Sequence, residues 1–248
     1  MQQLQIEADK LEKLGVLRKP EDMGITVKYV SPSFLKKKPD GGYRFVTAFN
    51  NLGQYTRILP TVTPTTDDIL RKISYFEYLI KTDFTKSFYQ IKVAKSSMPY
   101  LATVTPFKGI RVYARSANGM PGCTEYLEEL TACVFGAFVQ EGWLALIADD
   151  LFVGGSTSSE ILDRWTLVLQ RLKDNNLTLN PKKTFICPKN CTILGWNWCK
   201  GTISPTSHKI SALASVSKPK TCTAMKSFIG AFRAISRCIP HYTSLLAP

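Results

Sequence analysis

Residues 144–155 read LALIADDLFVGG. Short apolar runs separated by turn-compatible residues read as the two strands of a hairpin. Asp149 and Asp150 then fall at the tight turn between them. Two adjacent acids at the tip of an apolar hairpin repel each other and add nothing to a core. They make sense beside a cation, since carboxylate oxygens are hard ligands suited to Mg²⁺. The alternative is a solvated turn in which the acids only interrupt the strand. The hairpin alone leaves both readings open.

The rest of the chain narrows the choice. Its 248 residues allow one large domain or a few subdomains, and a hydrophobic fraction of 44% supplies an ordinary core. No apolar run approaches the length of a membrane span, and the N-terminus reads as a polar amphipathic helix rather than a signal peptide. The formal net charge is +13, which points to an acidic partner such as nucleic acid. The last acid is Asp174. Beyond it come Lys182, Lys183, Lys189, Lys200, Lys209, Lys218, Lys220, Lys226, Arg233 and Arg237. A long segment of one sign suits a phosphate backbone better than a solvated face, which normally mixes signs. The seven cysteines form an odd set, which argues for a reducing compartment. Cys187, Cys191 and Cys199 fit no standard zinc spacing.

In chain order, Leu4, Ala8, Leu11 and Leu14 mark one face of a helix. Strand-like runs at 30–35 and 43–46 flank a turn of Pro39, Asp40, Gly41 and Gly42, with Lys36, Lys37, Lys38 and Arg44 around it. Those cations fit an exposed edge strand or a phosphate clamp. Thr65 or Thr66 caps a helix bearing Ile69, Leu70 and Ile73. The stretch 76–93 is strand-like at both ends, and Asp83 interrupts its apolar middle. A buried unpaired carboxylate is costly, so Asp83 wants a partner or a metal unless it ends the strand in solvent. A hairpin is expected over 100–115, then a loop at 117–122 and a helix with Thr124 as candidate cap. After the hairpin at 144–155, a helix from Ser158 or Ser159 is expected to bury Leu162, Trp165, Leu169 and Leu172. A strand at 192–198 and helices at 205–214 and 223–237 complete the reading. Strands and helices in this order give an α+β fold with an antiparallel sheet.

The landmarks SPSFLKKKPDGGYRF (31–45), IKTDFTKSFYQIKV (80–93), NGMPG (118–122), LIADDLFVGG (146–155), LTLNPKKTFI (177–186), TILGW (192–196) and the segment from Pro219 onward come in a telling order. Together they resemble the reverse transcriptase domain of gypsy-type LTR retrotransposons and retroviruses over nearly the whole chain. The resemblance implies a right-hand polymerase fold with an antiparallel palm sheet, fingers and a partial helical thumb. Its divisions would be fingers at 1–75 and 94–118, palm at 76–93 and 119–199, and partial thumb at 200–248.

Carried over by position, the resemblance makes Asp83, Asp149 and Asp150 the catalytic, metal-binding acids, with Asp150 the more peripheral. Lys37, Arg44, Phe88 and Gly122 would bind the dNTP, Phe88 as the ring that excludes a 2′-hydroxyl. Lys182 or Lys183 would protonate the leaving pyrophosphate, and Leu194, Gly195 and Trp196 would grip the primer. Two Mg²⁺ ions, with Mn²⁺ as a substitute, suit such chemistry because they stabilise the attacking and leaving oxygens together. The implied partners are an RNA or DNA template–primer, dNTPs, and ribonuclease H and integrase domains of one polyprotein. No membrane is involved, and the implied location is cytoplasmic or in a virus-like particle. Some positions depart from the family's habit: Ile147 stands where an aromatic is usual, Ala48 and Asn50 replace the usual Asp and Arg, and the loop at Pro121-Gly122 is one residue short. A decayed or domesticated fold that only binds nucleic acid is the alternative, and the three intact acids argue against it. An RNA-templated RNA polymerase would have to admit the ribose hydroxyl, against which Phe88 stands.

Overall fold

The computed structural model describes every residue except Asp40, Leu59, Ala234 and 246–248. The expected turn at Pro39-Asp40-Gly41-Gly42 therefore lies in part outside the described residues. The first part of the chain runs α1 (Gln2–Lys13), β1 (Leu17–Arg18), β2 (Val30–Ser31), β3 (Ser33–Lys37), β4 (Tyr43–Thr47), α2 (Asn50–Gly53) and α3 (Thr66–Ile73). The middle runs β5 (Tyr78–Asp83), β6 (Ala102–Thr105), β7 (Gly109–Tyr113), α4 (Cys123–Gln140), β8 (Leu144–Ile147), β9 (Asp150–Gly155) and α5 (Ser158–Asp174). The remainder runs β10 (Phe185–Ile186), β11 (Cys191–Ile193), β12 (Trp196–Cys199), β13 (Thr202–Pro205), α6 (Ser207–Ala214), α7 (Cys222–Arg233) and α8 (Tyr242–Leu245).

An antiparallel sheet in the order β10-β5-β9-β8 lies at the centre. Both of its faces are covered, which is why its strands read as nearly continuous apolar runs. On one face Ile80, Leu144, Leu151 and Val153 pack with α4 and α5. On the other, Leu79, Ala145 and Phe152 pack with Ile69, Leu70 and Ile73 of α3 and with Ile193, Trp196 and Trp198 of the β11–β12 hairpin. Burying each such side chain contributes roughly 1.5–3 kcal/mol. The second face also carries Lys81 and Asp83 of β5 and Asp150 of β9, because strand residues alternate sides.

A second unit is built from discontinuous chain. Its sheet runs β1-β7-β6-β2, antiparallel except for the parallel β2–β6 pair. Ala8 and Leu11 of α1 join Val16, Leu17, Phe45, Tyr113 and Met120 in its core. Hydroxyls stitch the β3–β4 hairpin to this sheet: Ser33 meets Thr47 at 2.5 Å and Thr103 at 2.6 Å, and Thr47 meets Tyr113 at 2.7 Å. No described helix is long and apolar enough to cross a membrane.

Several expectations need correction. The stretch 76–93 is a strand only in its first half; residues Ser87–Gln90 form a 3-10 turn. The helix after residue 122 is entered through Gly122 at φ 76°, not capped by Thr124, which lies inside its first turn. α5 buries Ile161, Val168 and Leu172, while Leu162 and Leu169 face solvent. Residues 192–198 are not one strand. Leu194 and Gly195 both take positive φ, 50° and 77°, and turn the chain between β11 and β12. Positive φ at both central residues is the turn geometry that matches strand twist in a two-residue hairpin. The Thr65 cap holds: its hydroxyl accepts from the Asp68 N–H, and Asp68 accepts from the Thr65 N–H.

Candidate active site

The β8–β9 hairpin closes at the pair Ile147–Asp150, so only Ala148 and Asp149 form its turn. The acid pair is thereby divided: Asp149 sits at the tip and Asp150 is the first residue of β9. Ala148 holds φ 51°, a conformation that favours glycine and costs a residue with a Cβ about 1–2 kcal/mol. The turn is fastened to β5, whose neighbour Phe84 donates its N–H to the Asp149 carbonyl at 3.1 Å.

Asp83 ends β5 directly opposite Asp150. Its side chain is buried. One carboxylate oxygen, Oδ2, accepts from Lys183 Nζ at 2.5 Å, while the other, Oδ1, is buried with no hydrogen-bond partner. Lys183 is brought there by a single turn, Pro181–Lys183, capped by Asn180, whose side chain accepts from the Lys182 N–H. Asn180 in turn donates its N–H to the Asp83 carbonyl at 2.9 Å. The turn therefore presents Lys183, and not its neighbour Lys182, to the acid.

The charges perturb one another. The hydrogen bond to Asp83, helped by Asp149 and Asp150, holds the Lys183 ammonium above its usual pKa. Burial pushes the Asp150 carboxyl up, Asp149 and Asp83 push it the same way, and the Lys81 charge opposes them. Among the described residues no three His, Cys, Asp or Glu side chains are gathered closely enough to form a ready metal site. The donor set is nonetheless of the right kind. Asp83 Oδ1 is a buried hard oxygen lacking a donor, and a cationic group already sits against Oδ2.

Asp83, Asp149 and Lys183 open on a cleft of about 770 Å³ that Arg44 and Phe88 also line. Of the other expected residues, Lys37 is exposed near the tip of the β3–β4 hairpin and lies outside this wall, where its neighbour Lys38 takes part. Gly122 lines a different cavity of about 660 Å³, beside Tyr55, Arg57 and Tyr126. Leu194, Gly195 and Trp196 are also outside the cleft. Trp196 is buried, with Lys209 Nζ 4.4 Å from its ring centroid, and the Thr206 hydroxyl donates to the Gly195 carbonyl at 3.3 Å.

Some cleft residues escaped the sequence reading. Gln3, Glu7 and Lys10 of α1 form part of the wall. Lys86 lines the cleft at φ 48°, a conformation uncommon for a lysine. The helix itself is marked by its apolar spacing, but no local pattern announces its place in the cleft wall, which it reaches only through tertiary packing. Lys86 was open to discovery by its place between Asp83 and Phe88.

Known proteins share this fold and part of this sequence. The family model described as "Reverse transcriptase (RNA-dependent DNA polymerase)" matches residues 36–198. The retrovirus-related Pol polyprotein from transposon 297 of Drosophila melanogaster is 26% identical over 225 residues, covering 89% of this chain and 21% of the relative. The transposon Tf2-3 polyprotein of Schizosaccharomyces pombe is 22% identical over 248 residues, covering 100% of this chain and 18% of the relative. The chain thus spans about a fifth of the length of these relatives. Among solved structures, the foamy viral protease-reverse transcriptase dRH in complex with dsDNA gives a TM-score of 0.80 at 20% identity, covering 95% of this chain and 40% of that one. The foamy viral protein in complex with an RNA/DNA hybrid gives 0.72 at 20% identity, covering 92% of this chain and 30% of that one. The fold is therefore the α+β right-hand polymerase fold of these proteins.

Proposed function

The chain belongs to the reverse transcriptase (RNA-dependent DNA polymerase) family, and from that premise we propose that it extends a primer with dNTPs on an RNA or DNA template. One observation carries the proposal: Asp83, with an unpartnered buried oxygen, faces Asp150 across the ladder beside the Asp149 turn, in a cleft walled by Arg44, Phe88 and Lys183. Relatives solved with dsDNA and with an RNA/DNA hybrid support the same class of partner. The relatives' names as polyproteins support a longer, multi-domain product, and in this reading ribonuclease H and integrase are its further domains and the cell interior its place.

In this reading residues 1–75 and 94–118 act as fingers, 76–93 and 119–199 as palm, and 200–248 as the start of a thumb. Asp83 and Asp149 would hold divalent ions, Mg²⁺ or Mn²⁺, with Asp150 as a peripheral member. Bound there, two such ions would lower the pKa of the primer 3′-hydroxyl and stabilise the attacking and leaving oxygens. The chain's own side chains do the rest. Arg44 offers a planar fork to triphosphate oxygens, and Lys38 adds a point charge beside it. Phe88 lies in the cleft wall, where its ring would rest against the sugar and exclude a 2′-hydroxyl. Lys183 carries a proton on Nζ at neutral pH, as a lysine does, and its hydrogen bond to Asp83 aims that ammonium at the acids. From its place in the cleft wall it would deliver that proton to an oxygen of the departing pyrophosphate.

Primer extension on an RNA template with dNTPs and Mg²⁺ tests the proposal. The parent should extend, and Asp149→Asn should lose on the order of 10²–10⁴-fold in rate, the worth of several kcal/mol of charge stabilisation. Equal extension by both proteins, or extension by neither, would overturn it.

A further inference from the structure

Lys81 stands two residues before Asp83 in β5, so the two side chains leave the same face of the sheet. One step back along that face, Leu79 is fully buried under α3 and the β11–β12 hairpin. One step forward, Asp83 opens on the cleft. A lysine at such a boundary costs stability unless its ammonium finds acceptors or water. Its Nζ donates to the carbonyl of Thr192 at 2.7 Å. Thr192 lies in β11, the strand that leads into the Leu194-Gly195 turn. The same charge reaches the Asp150 carboxyl and the Cys191 thiol.

The side chain therefore ties β5, which ends at Asp83, to the strand that leads into the 194–195 turn. Two other cations by these turns are turned to protein groups: Lys183 to Asp83, and Lys209 to the Trp196 ring. An ammonium carries three N–H donors, and Thr192 occupies one of them. We propose that Lys81 is a nucleic-acid contact, binding a backbone phosphate of the primer strand between Asp149 and the 194–195 turn. The inference rests on the polymerase reading, which gives that ground to the primer end. It adds a phosphate contact from the floor of the sheet, on the strand that also carries Asp83.

The test measures binding of a primer–template to the full chain, to Lys81→Met and to Lys81→Arg. Met keeps the length of the side chain without its charge, and Arg restores the charge. Each phosphate contact adds about 0.9 to the slope of log affinity against log salt. Parent affinity should therefore fall about threefold more than that of Lys81→Met between 50 and 200 mM salt, with Lys81→Arg following the parent. A primer with one neutral methylphosphonate linkage near its 3′ end should weaken parent binding and leave Lys81→Met unaffected. The proposal is overturned if the Lys81→Met slope equals the parent's, if the two losses multiply, or if the neutral linkage acts only in the template strand. A parent that binds primer–template and extends it while Lys81→Met matches its slope overturns this inference alone. A parent that binds no primer–template overturns the polymerase reading with it.

Discussion

Lys183 reaches Asp83 across two separate parts of the chain, with Nζ 2.5 Å from Oδ2. The carboxylate is buried while the lysine is largely exposed, so the pair has one end in protein and one in water. Removing the lysine leaves a buried acid with neither oxygen paired, the costly half of such a contact. Because the lysine end is screened by solvent, the net loss for Lys183→Met is on the order of 1 kcal/mol. The pH dependence follows from the raised lysine pKa. A lysine whose folded pKa lies above its unfolded value of 10.5 stabilises fully below 10.5 and loses that contribution as pH rises through the raised value. Chemical denaturation of the parent and Lys183→Met should therefore show a constant gap from pH 7 to 10 that closes at higher pH. A gap that stays constant throughout would contradict the pairing.

Asp150 carries the opposite sign. Burial, with Asp149 and Asp83, holds its carboxyl above the usual 3.8, against the pull of Lys81. An acid with a raised folded pKa costs stability when ionised, and the cost fades as pH falls through the raised value. Asp150→Asn should stabilise the fold at neutral pH by no more than about 1 kcal/mol after screening. That corresponds to roughly 2–4 °C in Tm for a chain of this size. The advantage should shrink below the raised pKa. A lower Tm for Asp150→Asn at pH 7 would mean that the ionised carboxylate is satisfied rather than strained.

Phe88 is half-buried, packed beside the second core yet still lining the cleft. Its backbone belongs to the 3-10 turn Ser87–Gln90, which follows Lys86 at positive φ and fixes where the ring can sit. Phe88→Val keeps an apolar side chain and frees space. Competition between dNTP and rNTP in primer extension should shift about 10- to 200-fold toward the ribonucleotide, the worth of steric discrimination in an apolar pocket. Unchanged discrimination would remove Phe88 from the sugar site.

Much of this site was legible because its residues broke local patterns. Asp83 interrupts an apolar run, and Asp149-Asp150 interrupts another, so each asked for a partner that a strand alone could not give. The choice between Lys182 and Lys183 was not legible, since one turn of 3-10 helix decides which of two adjacent lysines meets Asp83. The inward face of α5 was misread because Leu162, Leu167 and Leu169 are apolar yet exposed, so periodicity offered more than one face. Leu194 hid the β11–β12 turn because a leucine at positive φ is rare, and TILGW reads as one strand. Glu7 and Lys10 join the cleft only by tertiary approach.

The two glycines that close LALIADDLFVGG are required by what packs against them. A Cβ on Gly154 would lie 2.2 Å from the Phe76 ring, and one on Gly155 would lie 2.9 Å from Ile161 Cβ. Neither glycine is held at positive φ, so close packing alone excludes a side chain. Gly155 thereby sets the face of α5, because Ile161 must settle on it. Gly154→Ala should overpack the sheet and cost about 3 kcal/mol, at the upper end for added volume in a core. The expected fall in Tm is on the order of 10 °C. Phe76→Leu, destabilising alone, should recover part of the loss in the double variant, because the two side chains compete for the same space. Additive losses in the double variant would show that the Phe76 ring does not rest on Gly154.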